Sequence, residues 1–165
     1  MMCLAELPPD LQTECGDRDW RRNRKGESDM GKLADCAVHK FTEKRYNCCQ
    51  AVICAVCEEY GVAELDAFKM TEGFGAGMGG LGDTCGAVTG LFLSLSLANS
   101  VGDMEKPRET KMYTYKKVRA AAEAFKEKHE SLYCRDIPKE KGEQPLPSCI
   151  RCVRDAAEIA EKMLA

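Results

Sequence analysis

The chain has 165 residues, a formal net charge of −3, and a composition of 44% hydrophobic and 31% charged residues. That length and balance predict one domain with a single core, and the negative net charge excludes the basic footprint of a nucleic-acid-binding protein. Cysteine is the anomaly, with eleven residues. The apolar stretch at the start is too short for a signal peptide, so we expect a cytoplasmic protein, in which clustered thiols more often serve metal binding or redox catalysis than structural disulfides.

The first part of the chain differs in character from the rest. Residues 1–29 contain two prolines, many charges and little apolar periodicity, which predicts a disordered N-terminal tail. Met30 is an alternative translational start. Residues 30–165 form the predicted cysteine-rich helical domain, whose first helix follows Met30 at once.

The second predicted helix has a clear start signal. Asn47 is a preferred cap residue and Gln50 stands three positions later, as in a capping box. Cys48 therefore enters the first turn, and Gly61 ends the helix. Cys54-Ala55-Val56-Cys57 then lies in mid-helix, where its thiols are expected to pack.

A glycine-rich turn precedes the most apolar part of the chain. Eight of the fourteen glycines fall between Gly73 and Gly90, and no charged residue occurs from Thr84 to Gly102. Such a segment is a buried helix or a membrane span. Its length is barely sufficient for a span and several of its residues are polar, so we predict a buried central helix over about residues 84–101.

Small residues recur at every fourth position of this helix: Gly82, Gly86, Gly90, Ser94 and Ala98. Residues four apart share one helix face, so the stripe allows a neighbouring helix to approach closely.

The last third of the chain reads as two further helices. A charged helix begins near Pro107 and carries an apolar seam that includes His129. A loop from Arg135 to Pro147 follows, and Ser148 caps the final helix. No segment has the period of two expected for a strand, so we predict an all-α, single-domain bundle of about five helices around the central one.

Three cysteines share one local arrangement. Each follows a small polar cap residue: Cys48 follows Asn47, Cys85 follows Thr84, and Cys149 follows Ser148. A sulfur in the first turn of a helix faces unpaired N–H groups and the positive end of the helix dipole, which favours the thiolate. If the three helix starts converge, they form an anion-favouring pocket; alternatively, the thiols are small buried hydrophobes.

Other motifs carry less weight. Cys149 and Cys152 form a C-x-x-C pair that opens a helix, the position of a nucleophilic and a resolving thiol. No C-x-x-C is followed by histidine, which excludes c-type haem attachment. The G-x-G-x-x-G matches after Gly75 lack a preceding strand, which excludes a dinucleotide site. His129 is either a base or metal ligand, or a half-buried side chain with satisfied hydrogen bonds.

Four elements together resemble a known family. They are Asn47-Cys48-Cys49-Gln50-Ala51, the turn from Gly73 to Gly79 followed by Cys85 to Gly90, Cys134, and Cys149. In this order they resemble the C-GCAxxG-C-C family of redox proteins, over about residues 31–164.

The resemblance implies a redox role for the four matched cysteines. One hypothesis is thiol–disulfide exchange between Cys85 and Cys48, Cys134 or Cys149, with a redox partner protein. A second hypothesis is an electron-transfer or sensor module, in which the same four thiolates bind an iron–sulfur cluster or zinc. A third alternative is a helical interaction domain, and a homodimer is also open. The supporting residues are Asn47, Thr84, Gly86, Gly90, Ser148 and Cys152.

Overall fold

The computed structural model describes residues 31–139 and 147–164. Six α-helices lie in this part of the chain: α1 (Lys32–Thr42), α2 (Cys48–Ile53), α3 (Glu64–Thr71), α4 (Gly86–Asn99), α5 (Lys111–His129) and α6 (Pro147–Leu164). Two 3₁₀ turns, Cys57–Tyr60 and Glu72–Phe74, and the one-turn segment Gly75–Met78 connect them. These residues contain no strand, which confirms the predicted all-α class.

Helix α4 is the centre of the bundle, as predicted, although it spans Gly86–Asn99 rather than residues 84–101. It packs against α2, α5 and α6, and its Val88, Leu91 and Leu95 are fully buried. Its buried hydroxyl groups find hydrogen-bond partners within the helix, as the Ser94 hydroxyl does by donating to the Gly90 carbonyl at 2.8 Å. This is how an apolar core helix accommodates buried hydroxyl groups.

The stripe of small residues brings α4 against α2. A Cβ atom at Gly90 would lie 2.8 Å from the Val52 Cβ and 2.9 Å from the Cys49 carbonyl oxygen. A Cβ at Gly86 would lie 3.1 Å from the Cys48 Cβ. Real Cβ atoms rarely come so close, so only glycine allows the two backbones this separation.

Helices α1 and α6 form the other large contact of the bundle. The N-terminus of α1 has no side-chain cap of its own. Instead, the Glu161 carboxylate of α6 accepts hydrogen bonds from the backbone N–H groups of Gly31 (2.7 Å) and Leu33 (3.2 Å). A negative charge there satisfies unpaired donors and complements the helix dipole, which fixes the start of α1 against α6.

Two further predicted helix boundaries, besides that of α4, were wrong. Helix α2 ends at Ile53, and Cys57 begins a 3₁₀ turn, so the Cys54–Cys57 pair does not lie in mid-helix. Backbone N–H groups there donate to carbonyls three residues back, and a run rich in β-branched residues favours such a tightened end. Helix α5 begins at Lys111, after Pro107.

Some predictions fall on other parts of the chain. The tail at 1–29 and the start at Met30 lie outside the described residues. No helix in residues 31–139 and 147–164 combines the length and apolarity that crossing a membrane requires.

Candidate functional site

Asn47 places Cys48 at the start of α2. Its Oδ1 accepts hydrogen bonds from the backbone N–H groups of Cys49 and Gln50, both at 2.9 Å. The Gln50 side chain in turn accepts from the Asn47 N–H at 2.9 Å, so the predicted capping box is confirmed. The Asn47 Nδ2 also donates to the Glu72 carbonyl at 3.0 Å, which ties the cap to the glycine-rich turn.

Asn47→Ala should destabilise the protein by about 1 kcal/mol, because it leaves N–H groups of the first turn without a partner. Asn47→Asp keeps the acceptor oxygen but removes the Nδ2 donor to the Thr71 and Glu72 carbonyls, so it should recover only part of that loss. Urea denaturation measures both changes. An Asn47→Ala variant as stable as the wild type would show that the cap contributes nothing.

The glycine-rich turn approaches Cys48 and Cys134. Ala76 (φ 51°) and Gly77 (φ 70°) both adopt the left-handed conformation, and the Ala76 N–H is directed at the Cys48 sulfur. A Cβ at Gly77 would lie only 2.6 Å from the Cys134 Cβ. The turn thus directs a backbone donor at the Cys48 thiol, as a nest does for an anion.

The start of α4 differs from the prediction by one residue. Cys85 itself is the cap position and Gly86 is the first helical residue. Thr84 is not the cap, because it pairs in an isolated antiparallel bridge and its hydroxyl donates to Asp83 (3.4 Å). On either side of this bridge, the Cys85 N–H donates to the Leu132 carbonyl (2.8 Å) and the Cys134 N–H donates to the Asp83 carbonyl (2.7 Å). These bonds hold Cys85 and Cys134 side by side.

The start of α6 supplies two more thiols. The helix begins at Pro147, so Ser148 lies inside the first turn and is not the residue before the helix. Proline suits a first helical position because it lacks an N–H that would need a partner. Cys149 is in the first turn, as predicted, and Cys152 stands three residues later on the same face.

Five cysteines converge in what we call the thiol cluster: Cys48, Cys85, Cys134, Cys149 and Cys152. Their side chains lie within electrostatic range of one another. Cys85 and Cys152 share a hydrogen bond and form the inner pair. Cys48 and Cys149 share another and form the outer pair. The structure thus brings together the four cysteines that the sequence singled out.

A family model described as "Putative redox-active protein (C_GCAxxG_C_C)" matches residues 46–163. The chain belongs to this family. No curated protein and no solved structure matches the chain. The matched range contains all five cysteines of the thiol cluster.

In this member of the C_GCAxxG_C_C family, Cys85 is the thiol poised to ionise. The hydrogen bond from Cys152, together with the backbone N–H groups of Ala87 and Val88, lowers the pKa of Cys85 to about 7, against the opposing effect of burial. Those two groups belong to the unpaired first turn of α4. The pKa of Cys152 is raised by the same shared hydrogen bond and by burial. In the inner pair, the Cys152 thiol therefore donates a hydrogen bond to the Cys85 thiolate.

The outer pair is closer to the surface. The hydrogen bond with Cys149 raises the pKa of Cys48, and burial adds to the shift, so Cys48 is the proton donor of this pair. Cys48 and Cys149 are half-buried, whereas the side chains of the inner pair are buried, with Cys85 only 5% exposed. A molecule approaching from solvent meets the outer pair first.

Cys134 has a different environment from the two pairs. Burial raises the pKa of Cys134, while a hydrogen bond from Lys139, whose Nζ lies 3.4 Å from the sulfur, acts in the opposite direction. Cys134 thus differs from the two pairs in accepting a hydrogen bond from a cationic side chain, that of Lys139.

The remaining described cysteines take no part in the inner or outer pair. Cys54 and Cys57 share a hydrogen bond with each other in the core. Cys49 is fully buried beside α4, and burial, with Cys85 nearby, raises the pKa of Cys49 to about 12. Cys36 is buried on α1.

His129 and Asp155 lie next to the inner pair, and no sequence motif indicated that Asp155 would be there. The His129 Nε2 lies 2.9 Å from the Asp155 Oδ2, and its Nδ1 lies 3.8 Å from the Cys152 sulfur. The available signal was the spacing of Cys152 and Asp155, which puts both on one face of α6. That α5 would present His129 to this face depends on helix packing, which local sequence does not reveal.

Within residues 31–139 and 147–164, no group of three or more His, Cys, Asp or Glu side chains is arranged to hold a metal ion. Metal binding would require each ligand thiol to lose its proton.

Proposed function

We propose that this protein is a thiol–disulfide redox protein in which Cys85 and Cys152 form the principal dithiol. The observation that carries the proposal is the inner pair itself, in which the Cys152 thiol and two N–H groups of α4 favour the Cys85 thiolate. Thiolate is the form that attacks disulfides, and a neighbouring thiol is what resolves the product. Membership of a redox-active family is consistent with this chemistry.

The reaction is an ordinary exchange with a disulfide RS–SR′. The Cys85 thiolate attacks one sulfur, the S–S bond of RS–SR′ breaks, and R′S⁻ leaves with the electron pair and takes up a proton. Cys152 then loses its proton and attacks the Cys85 sulfur, which releases RS⁻ and forms the Cys85–Cys152 disulfide. Two thiols of the protein are oxidised and one external disulfide is reduced.

The outer pair supports a role in contact with a partner. Because Cys48 and Cys149 are more exposed than the inner pair, we propose that a partner protein carrying a dithiol or disulfide exchanges with them first. Two successive exchanges then move the disulfide to Cys85 and Cys152 and return Cys48 and Cys149 to thiols. The proposed compartment is the cytoplasm, where reducing systems regenerate such dithiols.

Mild oxidation should link Cys85 to Cys152 and Cys48 to Cys149, because these sulfurs already share hydrogen bonds. Oxidised glutathione is a suitable disulfide, and tryptic peptide mapping under acidic conditions identifies the links. Trypsin cleaves after Arg151, so Cys149 and Cys152 fall on different peptides. The links should disappear when dithiothreitol is added.

The controls separate the alternatives. Cys85→Ser should abolish the inner link, whereas Cys54→Ser, in a buried pair outside the cluster, should leave it intact. A Cys149–Cys152 link in the wild type would contradict the assigned pairs. Iron and acid-labile sulfide in anaerobically purified protein would favour the cluster-binding alternative. A protein with neither metal nor any reversibly oxidised thiol would be left as a helical interaction domain.

A further inference from the structure

A histidine and a carboxylate stand directly behind the inner pair. His129 lies between Asp155 and Cys152, with Nε2 2.9 Å from the Asp155 Oδ2 and Nδ1 3.8 Å from the Cys152 sulfur. Its side chain is only 9% exposed and stacks on Phe125 with ring centroids 4.4 Å apart. The ring is thus held in one orientation by the Asp155 hydrogen bond on Nε2, by the contact of Nδ1 with the Cys152 sulfur and by packing on its face.

The carboxylate determines which nitrogen carries the proton. An ionised Asp155 accepts hydrogen bonds and donates none, so the neutral ring places its proton on Nε2. The lone pair of Nδ1 then faces the Cys152 sulfur. In the reduced pair the Cys152 proton is donated to Cys85, and it becomes available to Nδ1 once Cys85 is bound in a mixed disulfide. This is the arrangement of a nucleophile, a base and an orienting group that activates thiols and hydroxyls on unrelated folds.

Asp155 is itself fixed by its neighbours. The Lys128 ammonium forms an ion pair with Asp155 and lies 3.2 Å from a Glu158 carboxylate oxygen. These contacts raise the pKa of Lys128, with the Asp155 hydrogen bond as the largest cause. The ion pair with Lys128 holds the Asp155 carboxylate in place, with its other oxygen directed at the His129 Nε2.

The ring is also near solvent on the side away from Cys152. A surface pocket of about 280 Å³ has His129, Asp155, Ser148 and Arg151 among its lining residues. A proton received by the imidazole can leave through this pocket without crossing the core.

We propose that His129 is the catalytic base and acid of Cys152, and that Asp155 is the residue that positions it. This rests on the proposed thiol–disulfide function. When the inner disulfide closes, Nδ1 takes the proton of the Cys152 thiol as its sulfur attacks Cys85 and RS⁻ departs. When the disulfide opens, the imidazolium returns that proton to the Cys152 thiolate as it leaves. The requirement is physical, because a thiol whose pKa is raised by burial is a poor nucleophile until a base removes its proton.

The test is the rate at which the inner disulfide closes. The reduced protein is mixed with oxidised glutathione and quenched with acid, and mass spectrometry follows the Cys85–glutathione adduct and the closed disulfide. His129→Gln should slow closure about 100-fold, the lower end of general-base effects, so that the adduct accumulates. His39→Gln, at a histidine on α1, is the matched control and should leave closure unchanged.

Two further readouts distinguish a chemical role from a structural one. Adding imidazole to His129→Ala should restore part of the closure rate, which mere loss of packing would not allow. Ring ¹⁵N chemical shifts of the wild type should show the Nε2–H tautomer, and Asp155→Asn should remove that preference. A wild-type ring protonated on Nδ1 would overturn the proposal even if both His129 variants failed to fold.

The outcomes separate this inference from the function it rests on. A His129→Gln variant that closes the Cys85–Cys152 disulfide at the wild-type rate overturns the role of His129 and leaves the redox function standing. A wild-type protein that never forms this disulfide overturns the function itself.

Discussion

Alkylation of Cys85 should rise with pH through a midpoint near 7, about two units below that of an ordinary thiol. The thiolate is the reactive form, and the Cys152 hydrogen bond and the N–H groups of α4 lower the pKa of Cys85 to about 7. Since the thiolate is present above the pKa and is lost as the pH falls through it, Cys85 at pH 7 should carry roughly fifty times the thiolate of an unperturbed thiol. The measurement is peptide-resolved iodoacetamide labelling.

Removing the hydrogen-bond donor should move that midpoint upward. Cys152→Ala deletes the largest cause of the lowered pKa and leaves burial, which acts in the opposite direction, so we expect a rise of about one to two pH units. Because Cys85 is 5% exposed, the midpoint and not the absolute rate is the quantity compared. Cys49 is the internal reference, since burial raises the pKa of Cys49 to about 12.

Cys54→Ala is the matched variant for this experiment, because Cys54 shares its hydrogen bond with Cys57 and not with Cys85. It should leave the Cys85 midpoint in place. The same midpoint in Cys152→Ala as in the wild type would mean that the inner pair does not share a proton, and the proposed dithiol would then lose its main support.

Gly90→Ala should destabilise the protein by about 1–3 kcal/mol, the range typical of overpacked cores. Intrinsic helix preference alone predicts a more stable protein, because alanine in a helix is favoured over glycine by about 1 kcal/mol. The steric term should win, since the new Cβ would lie 2.9 Å from the Cys49 carbonyl oxygen and 2.8 Å from the Val52 Cβ. A backbone oxygen cannot rotate away, so α2 must move relative to α4.

Denaturation midpoints measure this effect, and Gly73→Ala is its control because nothing lies within 4 Å of a Cβ at Gly73. That variant should remain within about 0.5 kcal/mol of the wild type. Displacement of α2 should also separate Cys48 from Cys149, so Gly90→Ala should lower the yield of the outer disulfide. A Gly90→Ala protein more stable than the wild type would show that helix preference outweighs the contact.

Local features of the site could be predicted because they depend on nearest neighbours in the sequence. The capping box of Asn47 and Gln50 closes within four residues, so its hydrogen bonds do not require the rest of the fold. The burial of α4 follows from the absence of charge in that segment, since an uncharged helix of that length must be covered. The small residues at Gly86 and Gly90 likewise indicated a close helix contact before its partner was known.

The pairing of the thiols could not be predicted, because it depends on which helices face each other. Cys149 and Cys152 are one helical turn apart and suggest a pair with each other, yet they share hydrogen bonds with Cys48 on α2 and with Cys85 at the start of α4. Two thiols on one helix face point outward in parallel, and each meets whatever element packs at its own level. The sequence therefore supplies the thiols but not their partners.

The role of Thr84 could not be predicted either, because it also depends on contacts that are distant along the chain. Its side chain is a good helix cap, but long-range backbone pairing keeps it extended and gives the cap position to Cys85. The contact between His129 and Asp155 is also long-range, since 26 residues separate them. By itself the sequence determined the helices and the buried centre, because these rest on periodicity, charge and local hydrogen bonds, while its resemblance to a known family singled out four cysteines. Only the packing of α2, α4, α5 and α6 decided which sulfurs share a proton and which base stands behind them, because those contacts join residues that are distant along the chain.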